Sequence, residues 1–111
     1  MAKGDRVARP SRSTEFEIFF GGREAERGWR DLLATQRNAL ASAWDVLTRS
    51  PQTTSATCSP LRDNLSRVTH NGTAHDQWQL RLLSGARIWY YVDGLRVVLV
   101  HVHTRHPNQT K

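Results

Sequence analysis

The alternation of apolar and polar positions predicts one strand and two helices in the first half of the chain. Residues 15–20, Glu-Phe-Glu-Ile-Phe-Phe, alternate with period two and end at Gly21-Gly22, which indicates a short strand closed by a turn. From residue 23 the spacing becomes helical, with a stripe of Ala25, Trp29, Leu32, Leu33 and Gln36. After a break near residues 35–38, a second stripe comprises Leu40, Ala43, Trp44 and Leu47, and Ser50-Pro51 ends it. We expect an antiparallel helical hairpin with one shared apolar face, in which Trp29 and Trp44 are core residues.

The second half of the chain is predicted to be a loop followed by strands. Residues 51–66 are rich in Ser, Thr and Pro, and Asn71-Gly72 indicates a tight turn, so 67–77 form either a small hairpin or a ragged strand entry. Strands are predicted over 78–83, 87–92 and 95–102, with turns at Ser84-Gly85 and Asp93-Gly94. The last strand is apolar on both faces in its middle, which is typical of a central strand. The expected fold is α+β, in the order β-α-α-β-β-β, with the helical hairpin packed on one face of a small, mostly antiparallel sheet.

Period-two sorting predicts which side chains share each face of that sheet. With a three-residue loop at 84–86, one face carries Trp78, Leu80, Ile88 and Tyr90 and packs against the helices. The other face carries Gln79, Arg81, Arg87 and Trp89. A two-residue loop would bury Arg87 among apolar side chains, which is costly for an unpaired guanidinium. The same alternation places His101 and His103 on the side of Val97 and Leu99, toward the core.

The length and cysteine content suggest a single domain in a reducing compartment. A chain of 111 residues has room for one hydrophobic core. Residues 1–13 lack an apolar period, so we expect a flexible basic arm there and one domain over residues 14–111. The lone Cys58 forms no internal disulfide. No secretory signal is recognisable and no run approaches the roughly 18 apolar residues of a membrane span, so we expect a cytoplasmic protein without a membrane partner.

The charge distribution favours a polyanionic partner. The formal net charge is +6 at pH 7. Residues 1–13 hold four cations and one acid, residues 78–111 five cations and one acid, and residues 14–77 seven cations and eight acids. The positive charge therefore lies at the two ends, largely in the predicted sheet. Arginine binds phosphate bidentately, which favours a nucleic acid over a solvated basic surface or an acidic protein partner.

The C-terminal stretch carries a pattern found in a known family. It runs Trp78-Gln-Leu-Arg-Leu-Leu-Ser-Gly-Ala-Arg-Ile-Trp-Tyr-Tyr-Val-Asp-Gly-Leu-Arg-Val-Val-Leu-Val-His-Val-His-Thr-Arg, and Pro60-Leu61-Arg62 precedes it. This pattern resembles the C-terminal sheet of RelE/ParE-superfamily toxins. The resemblance implies a RelE-like fold and a cytoplasmic toxin that a cognate antitoxin protein neutralises. It also implies entry into the ribosomal A site and cleavage of the mRNA there, by attack of a ribose 2′-hydroxyl on the adjacent phosphate, without a cofactor or metal.

The resemblance also assigns roles to individual residues. Arg81 and Arg87 match the positions of cations that bind the scissile phosphate, and Arg105 lies where the family places an acid or a further cation. The RNA contacts that it implies are Arg62, Gln79 and Lys111. A fourth RNA contact follows from the sheet pattern instead: on the predicted open face, the ring of Trp89 is expected to stack on a base.

At two positions the chain departs from the family, and this changes the predicted acid and base. The tail tyrosine of RelE-type toxins is missing, with Lys111 near its position, and Gln79 stands in place of a lysine. A histidine is the natural replacement, because its ordinary pKa is about 6.5. We therefore predict His103 or His106 as the general acid. The sequence does not assign the general base; the candidates are His75 and the glutamates of the helices.

Three other functions fit parts of this pattern. ParE-type toxins use the same scaffold to inhibit DNA gyrase and are not nucleases. A non-catalytic module would use the arm and the sheet only to hold nucleic acid. A metal site in the stretch His101-Val-His-Thr-Arg-His106 would lack acidic or cysteine ligands nearby in the sequence, so no metal is expected. The pair of Arg81 and Arg87 beside a histidine-rich tail favours phosphate chemistry.

Overall fold

Two α-helices and seven short strands build the part of the chain that the structure describes. The structure is a computed structural model and describes residues 3–105. In chain order the elements are β1 (Glu17–Phe20), α1 (Arg23–Thr35), α2 (Arg37–Arg49), β2 (Cys58–Pro60), β3 (Arg67–His70), β4 (Thr73–Asp76), β5 (Trp78–Arg81), β6 (Arg87–Asp93) and β7 (Arg96–His103). A 3-10 turn at Asp63–Leu65 precedes β3. The predicted α+β class is confirmed, and β2, β3 and β4 are additional to the predicted order.

The segment between α2 and β5 is more regular than its composition indicates. The prediction of a loop over residues 51–66 is wrong at Cys58–Pro60, which pair with Trp78–Leu80. The reason is that the outer edge of β5 needs hydrogen-bond partners, and this extended segment supplies them. Between the two alternatives for residues 67–77, the small hairpin forms: β3 pairs with β4 across Asn71 and Gly72, whose φ angles are 51° and 81°.

Five of the strands form one sheet, in the order β1-β7-β6-β5-β2. β1 runs parallel to β7, and the other neighbours are antiparallel. Along Arg96–Leu99, β7 lies between β1 and β6, which confirms its prediction as an interior strand. An interior strand is buried on both faces, so its run of β-branched residues needs no alternation.

One face of the sheet and the two helices enclose the core. The side chains of Trp78, Leu80, Ile88 and Tyr90 belong to this core, as period-two sorting predicts. The loop between β5 and β6 has the predicted three residues, but they are 83–85, since Leu82 donates a backbone hydrogen bond of 2.9 Å to Ala86. Both ends of the loop shift by one residue, and the two faces of the hairpin are therefore unchanged.

The helices bury a narrower stripe than the sequence pattern predicts. α1 buries Ala25, Gly28 and Leu32, and a single residue, Gln36, separates it from α2. In α2 the buried residues are Leu40, Ala43, Leu47 and Thr48. The prediction of Trp44 as a core residue is wrong, since Trp44 is 38% exposed and its ring lies edge-to-face with that of Trp29, at 6.1 Å between centroids. Trp44 lies one position beyond the buried Ala43, which is about 100° around the helix and away from the core.

The β3–β4 hairpin covers part of the opposite face of the sheet. The ring of His75 stacks on Tyr91 with 4.3 Å between centroids, and the ring of His70 lies 5.8 Å from the same tyrosine. The hairpin therefore covers the middle of β6, at Tyr91, and does not cover the end of the strand at Arg87. None of the helices within residues 3–105 has the length and apolar content needed to cross a membrane.

Candidate functional site

Two rows of side chains cross three strands on the face opposite the helices. The strand register places Arg81 of β5 opposite Arg87 of β6, and Arg87 opposite His103 of β7. We call these three residues the basic row. The neighbouring row consists of Gln79, Trp89 and His101. Directly opposed residues on one sheet face have Cβ atoms about 5 Å apart, so each row is a continuous strip of side chains.

A β-bulge brings the two histidines to this face, against the prediction that they point toward the core. In the ladder between β6 and β7, Trp89 pairs with His101 whereas Tyr90 pairs with Leu99, so Val100 is an extra residue in β7. An extra residue reverses the face on which all later side chains lie. His101 and His103 therefore join Trp89 and Arg87, and Val102 takes the position toward the core.

Arg87 is held in a partly desolvated position without an anionic partner. Its Nε is buried and has no hydrogen-bond partner within residues 3–105. Burial lowers the pKa of Arg87, and the guanidinium of Arg81 lowers it further. No ion pair among the described residues includes either arginine. Unpartnered buried donors are rare in folded proteins, and an approaching anion would satisfy this one.

A cleft opens beside the two arginines, at the turn between β5 and β6. It has a volume of about 290 Å³ and is lined by Thr57, Arg81, Leu82, Leu83, Gly85 and Arg87. Arg81 is oriented at its wall because its Nη2 donates a hydrogen bond of 2.6 Å to the carbonyl oxygen of Ala56. Two guanidinium groups on one small cleft, without a carboxylate between them, form a site that attracts phosphate.

His103 ends the basic row as a neutral imidazole. Burial lowers its pKa, and the charges of His101 and Arg87 act in the same direction, while Glu24 opposes them. Its Nε2 is buried and has no hydrogen-bond partner within the described residues, like Nε of Arg87. An imidazole that is neutral at pH 7 is suited to accept a proton. The geometry thus favours a base at His103 over the general acid that the sequence predicts there.

We expect acid to destabilise the wild-type chain more than the variant His103→Gln. The folded state lowers the pKa of His103, whereas the unfolded chain has the ordinary value of about 6.5. Below that pH the unfolded state therefore binds the proton more readily, and the free energy of unfolding decreases. Urea denaturation at about pH 7.5 and pH 5.5 measures the loss in both proteins. Equal losses would contradict the burial of a neutral imidazole at this position.

Trp89 and Gln79 lie on the predicted face of the sheet, but their side chains are hydrogen-bonded to each other. Trp89 is 2% exposed, and its Nε1 donates a hydrogen bond of 2.9 Å to Oε1 of Gln79. The edge of its ring meets His103, at 4.5 Å between centroids. The predicted stacking of Trp89 on an RNA base is not supported, because the ring has no open face. Instead, this pair forms the floor against which the two histidines pack.

The remaining predicted site residues are not brought together by the described part of the fold. Arg105 is exposed two residues beyond β7, at the end of the sheet where the basic row lies. Arg62 is exposed beyond β2, which runs away from Arg81 because Cys58 pairs with Leu80 and Pro60 with Trp78. It therefore lies at the far end of β5. His106 and Lys111 fall outside the described residues.

Sequence reasoning missed the contribution of α1 to this face. Oε2 of Glu24, in the first turn of α1, lies 3.6 Å from Nδ1 of His101, and the two form an ion pair when the imidazole is protonated. The acidic first turn was visible in the sequence, but its neighbour depends on the bulge in β7. Within residues 3–105, no group of three or more His, Cys, Asp or Glu side chains is arranged to hold a metal ion.

Comparisons of the sequence with protein-family models and with curated proteins identify no relative of this chain. No protein-family model matches the chain, and no curated protein matches its sequence at a significant level. The resemblance of the C-terminal strands to RelE/ParE-superfamily toxins therefore stays a prediction.

Proposed function

We propose that this protein is an endoribonuclease that acts without a metal, the toxin of a toxin–antitoxin pair, and that it cleaves mRNA in the ribosomal A site. The observation that carries the proposal is the basic row, in which two arginines that have no carboxylate partner among residues 3–105 stand beside a neutral histidine. Cleavage of RNA through its own 2′-hydroxyl needs a proton acceptor and cations for the crowded phosphate, and the row contains both.

Each member of the row has a chemical task in this reaction. His103 takes the proton of the 2′-hydroxyl, and the resulting oxygen attacks the adjacent phosphorus. Arg87 and Arg81 bind the non-bridging oxygens, on which negative charge increases in the transition state. The Nε–H group of Arg87, which has no partner in the described chain, gains an acceptor when phosphate binds. The bond from phosphorus to the 5′-oxygen then breaks, leaving a 2′,3′-cyclic phosphate.

The neutral histidine favours a nuclease over a module that only holds nucleic acid. Passive binding needs cations alone, and it gains nothing from a half-buried imidazole that is kept unprotonated beside a guanidinium. Arg87 lines the cleft and His103 is its neighbour in the basic row, and perturbed titratable groups at a cleft are typical of catalytic sites. Gyrase inhibition does not require this row, and no feature of the described residues favours it.

A protein inhibitor of this site would find both charge and apolar surface next to it. A groove of about 180 Å³ adjoins the cleft and shares Thr57, Arg81, Leu82 and Leu83 with it. Its other lining residues include Ala39, Ala43, Val46 and Leu80, and the side chain of Leu83 is fully exposed at its rim. An antitoxin segment with apolar anchors in the groove and carboxylates on the arginines would cover the site.

Induced expression in bacteria tests this function. The wild-type chain is expected to arrest growth and to produce new 5′ ends inside translated codons, which primer extension on a reporter mRNA detects. The variant Arg87→Met should do neither. Arrest without cleavage would move the assignment to a gyrase-type toxin, and absence of arrest would leave nucleic-acid binding without catalysis.

A further inference from the structure

His101, the other histidine on the sheet face opposite the helices, differs from His103 in its surroundings. The rings of His101 and His103 are 5.5 Å apart between centroids and inclined by 23°, so they lie side by side above Trp89. The side chain of His101 is 42% exposed, and Nε2 of His103 is buried. The imidazole of His101 is therefore the more open of the two, while that of His103 is half-buried next to Arg87, with its Nε2 atom buried.

A carboxylate from another element faces His101. Glu24 projects from the first turn of α1, and its Oε2 is 3.6 Å from Nδ1 of the imidazole. The other groups against His101 are His103 on the same strand and the uncharged ring of Trp89 on β6. At 3.6 Å the contact with Glu24 is an ion pair rather than a hydrogen bond, and it exists only when the imidazole carries a proton.

We propose that His101 donates the proton that the leaving 5′-oxygen requires and that Glu24 positions it. This inference rests on the proposed ribonuclease function, and it deepens it by naming the general acid. In the step, the 2′-hydroxyl proton moves to His103 and the bond between the 2′-oxygen and phosphorus forms. The bond between phosphorus and the 5′-oxygen breaks, and the proton of His101 moves to that oxygen. Exchange with water then returns both imidazoles to their starting states.

The geometry on which the proposal rests is the bulge at Val100. Without the extra residue, strict alternation would turn both imidazoles toward the core. With it, two histidines of one strand share a face with Arg81 and Arg87, to which the proposed function assigns the phosphate. A proton acceptor and a proton donor within one nucleotide length of each other are what a displacement at phosphorus needs. Glu24 acts through His101 and does not touch the reacting atoms.

The test compares two mRNAs on ribosomes with the purified chain, one with the natural linkage and one with a bridging 5′-sulfur at the cleaved position. A thiolate leaves without protonation, since the pKa of a thiol is about 8.5. His101→Ala and His101→Gln should each slow cleavage of the natural linkage by about 100-fold or more. On the sulfur linkage both should stay within about threefold of the wild type, because the acid is no longer needed. His103→Gln should be slow on both.

Glu24→Gln measures the positioning role in the same assay. We expect a loss of about threefold on the natural linkage, as for an exposed ion pair. The loss on the sulfur linkage should be smaller, because only the weak effect of Glu24 on the base His103 remains there. Glu26→Gln is the matched control on α1, because Glu26 pairs with Arg30 and lies about 200° around the helix from Glu24. Equal losses on both linkages for the His101 variants, or no loss on either, would overturn the proposal and leave the ribonuclease function intact. A wild-type chain that cleaves neither mRNA would overturn both.

Discussion

The variant Arg87→Met is expected to lose mRNA cleavage by at least about 100-fold and to fold as well as the wild type or better. Arg87 lies partly desolvated beside Arg81, with its Nε unpartnered among the described residues. Methionine keeps the packing of the aliphatic stem and removes the unsatisfied donor, so the free energy of unfolding should rise by about 1 kcal/mol. The measurements are urea denaturation and the single-turnover rate of cleavage on ribosome-bound mRNA.

A matched substitution separates this effect from the mere loss of a positive charge. Arg67→Met removes an arginine of the β3–β4 hairpin whose Nη1 lies 2.9 Å from Oδ1 of Asp76, on the exposed surface. That variant should cleave at nearly the wild-type rate. A large loss of stability in Arg87→Met would show instead that the arginine is a structural residue, and the functional reading of the basic row would then be wrong.

The second large effect is expected from Gly28→Ala, which should lower the free energy of unfolding by about 3 kcal/mol. A Cβ atom at this position would overlap the carbonyl oxygen of Val102 and lie 2.9 Å from the Val102 Cβ. Alanine favours a helix interior over glycine by roughly 0.5–1 kcal/mol, which is too little to offset a clash with backbone. Thermal unfolding measures the loss, expected as a decrease in Tm of roughly 15 °C.

Gly22→Ala is the control for Gly28→Ala. Gly22 has extended backbone, with φ near −177°, and an added Cβ would have no atom within 4 Å. Its stability should change by less than about 1 kcal/mol. Similar stabilities for the two variants would mean that α1 and β7 do not approach each other as closely as the structure shows. Since Val102 lies between the two histidines, Gly28→Ala should also displace them and slow cleavage.

Much of the fold follows from local patterns that the sequence displays. The helical spacing from Arg23 and the stop at Ser50-Pro51 locate both helices, and period two sorts β5 and β6 into a core face and an arginine face. These local patterns do not show which segments pair or pack together when they are far apart in the sequence. The three residues of β2 form a strand only because the free edge of β5 pairs with them. Trp44 lies outside the core because Ala43, and not Trp44, is on the buried face of α2.

Only the two arginines of the candidate site could be placed from the sequence. Arg81 and Arg87 are found by alternation, because both lie in a regular hairpin. The histidines could not be placed, since the run of Val, Leu and His in β7 shows no sign of where a bulge lies. Glu24 could not be linked to His101, because their proximity requires α1 to cross the bulged end of β7. Trp89 lies on the right face, but its burial depends on Gln79 and the histidines.

The most direct test of the account is the chemistry of the cut end that the purified chain leaves on ribosome-bound mRNA. We expect a 2′,3′-cyclic phosphate on the upstream fragment. We also expect that a single 2′-deoxynucleotide on the 5′ side of that bond abolishes cleavage there, because the attacking hydroxyl is then missing. Cleavage of the deoxy-substituted bond at the normal rate would contradict the proposal that the basic row acts on RNA through its own 2′-hydroxyl.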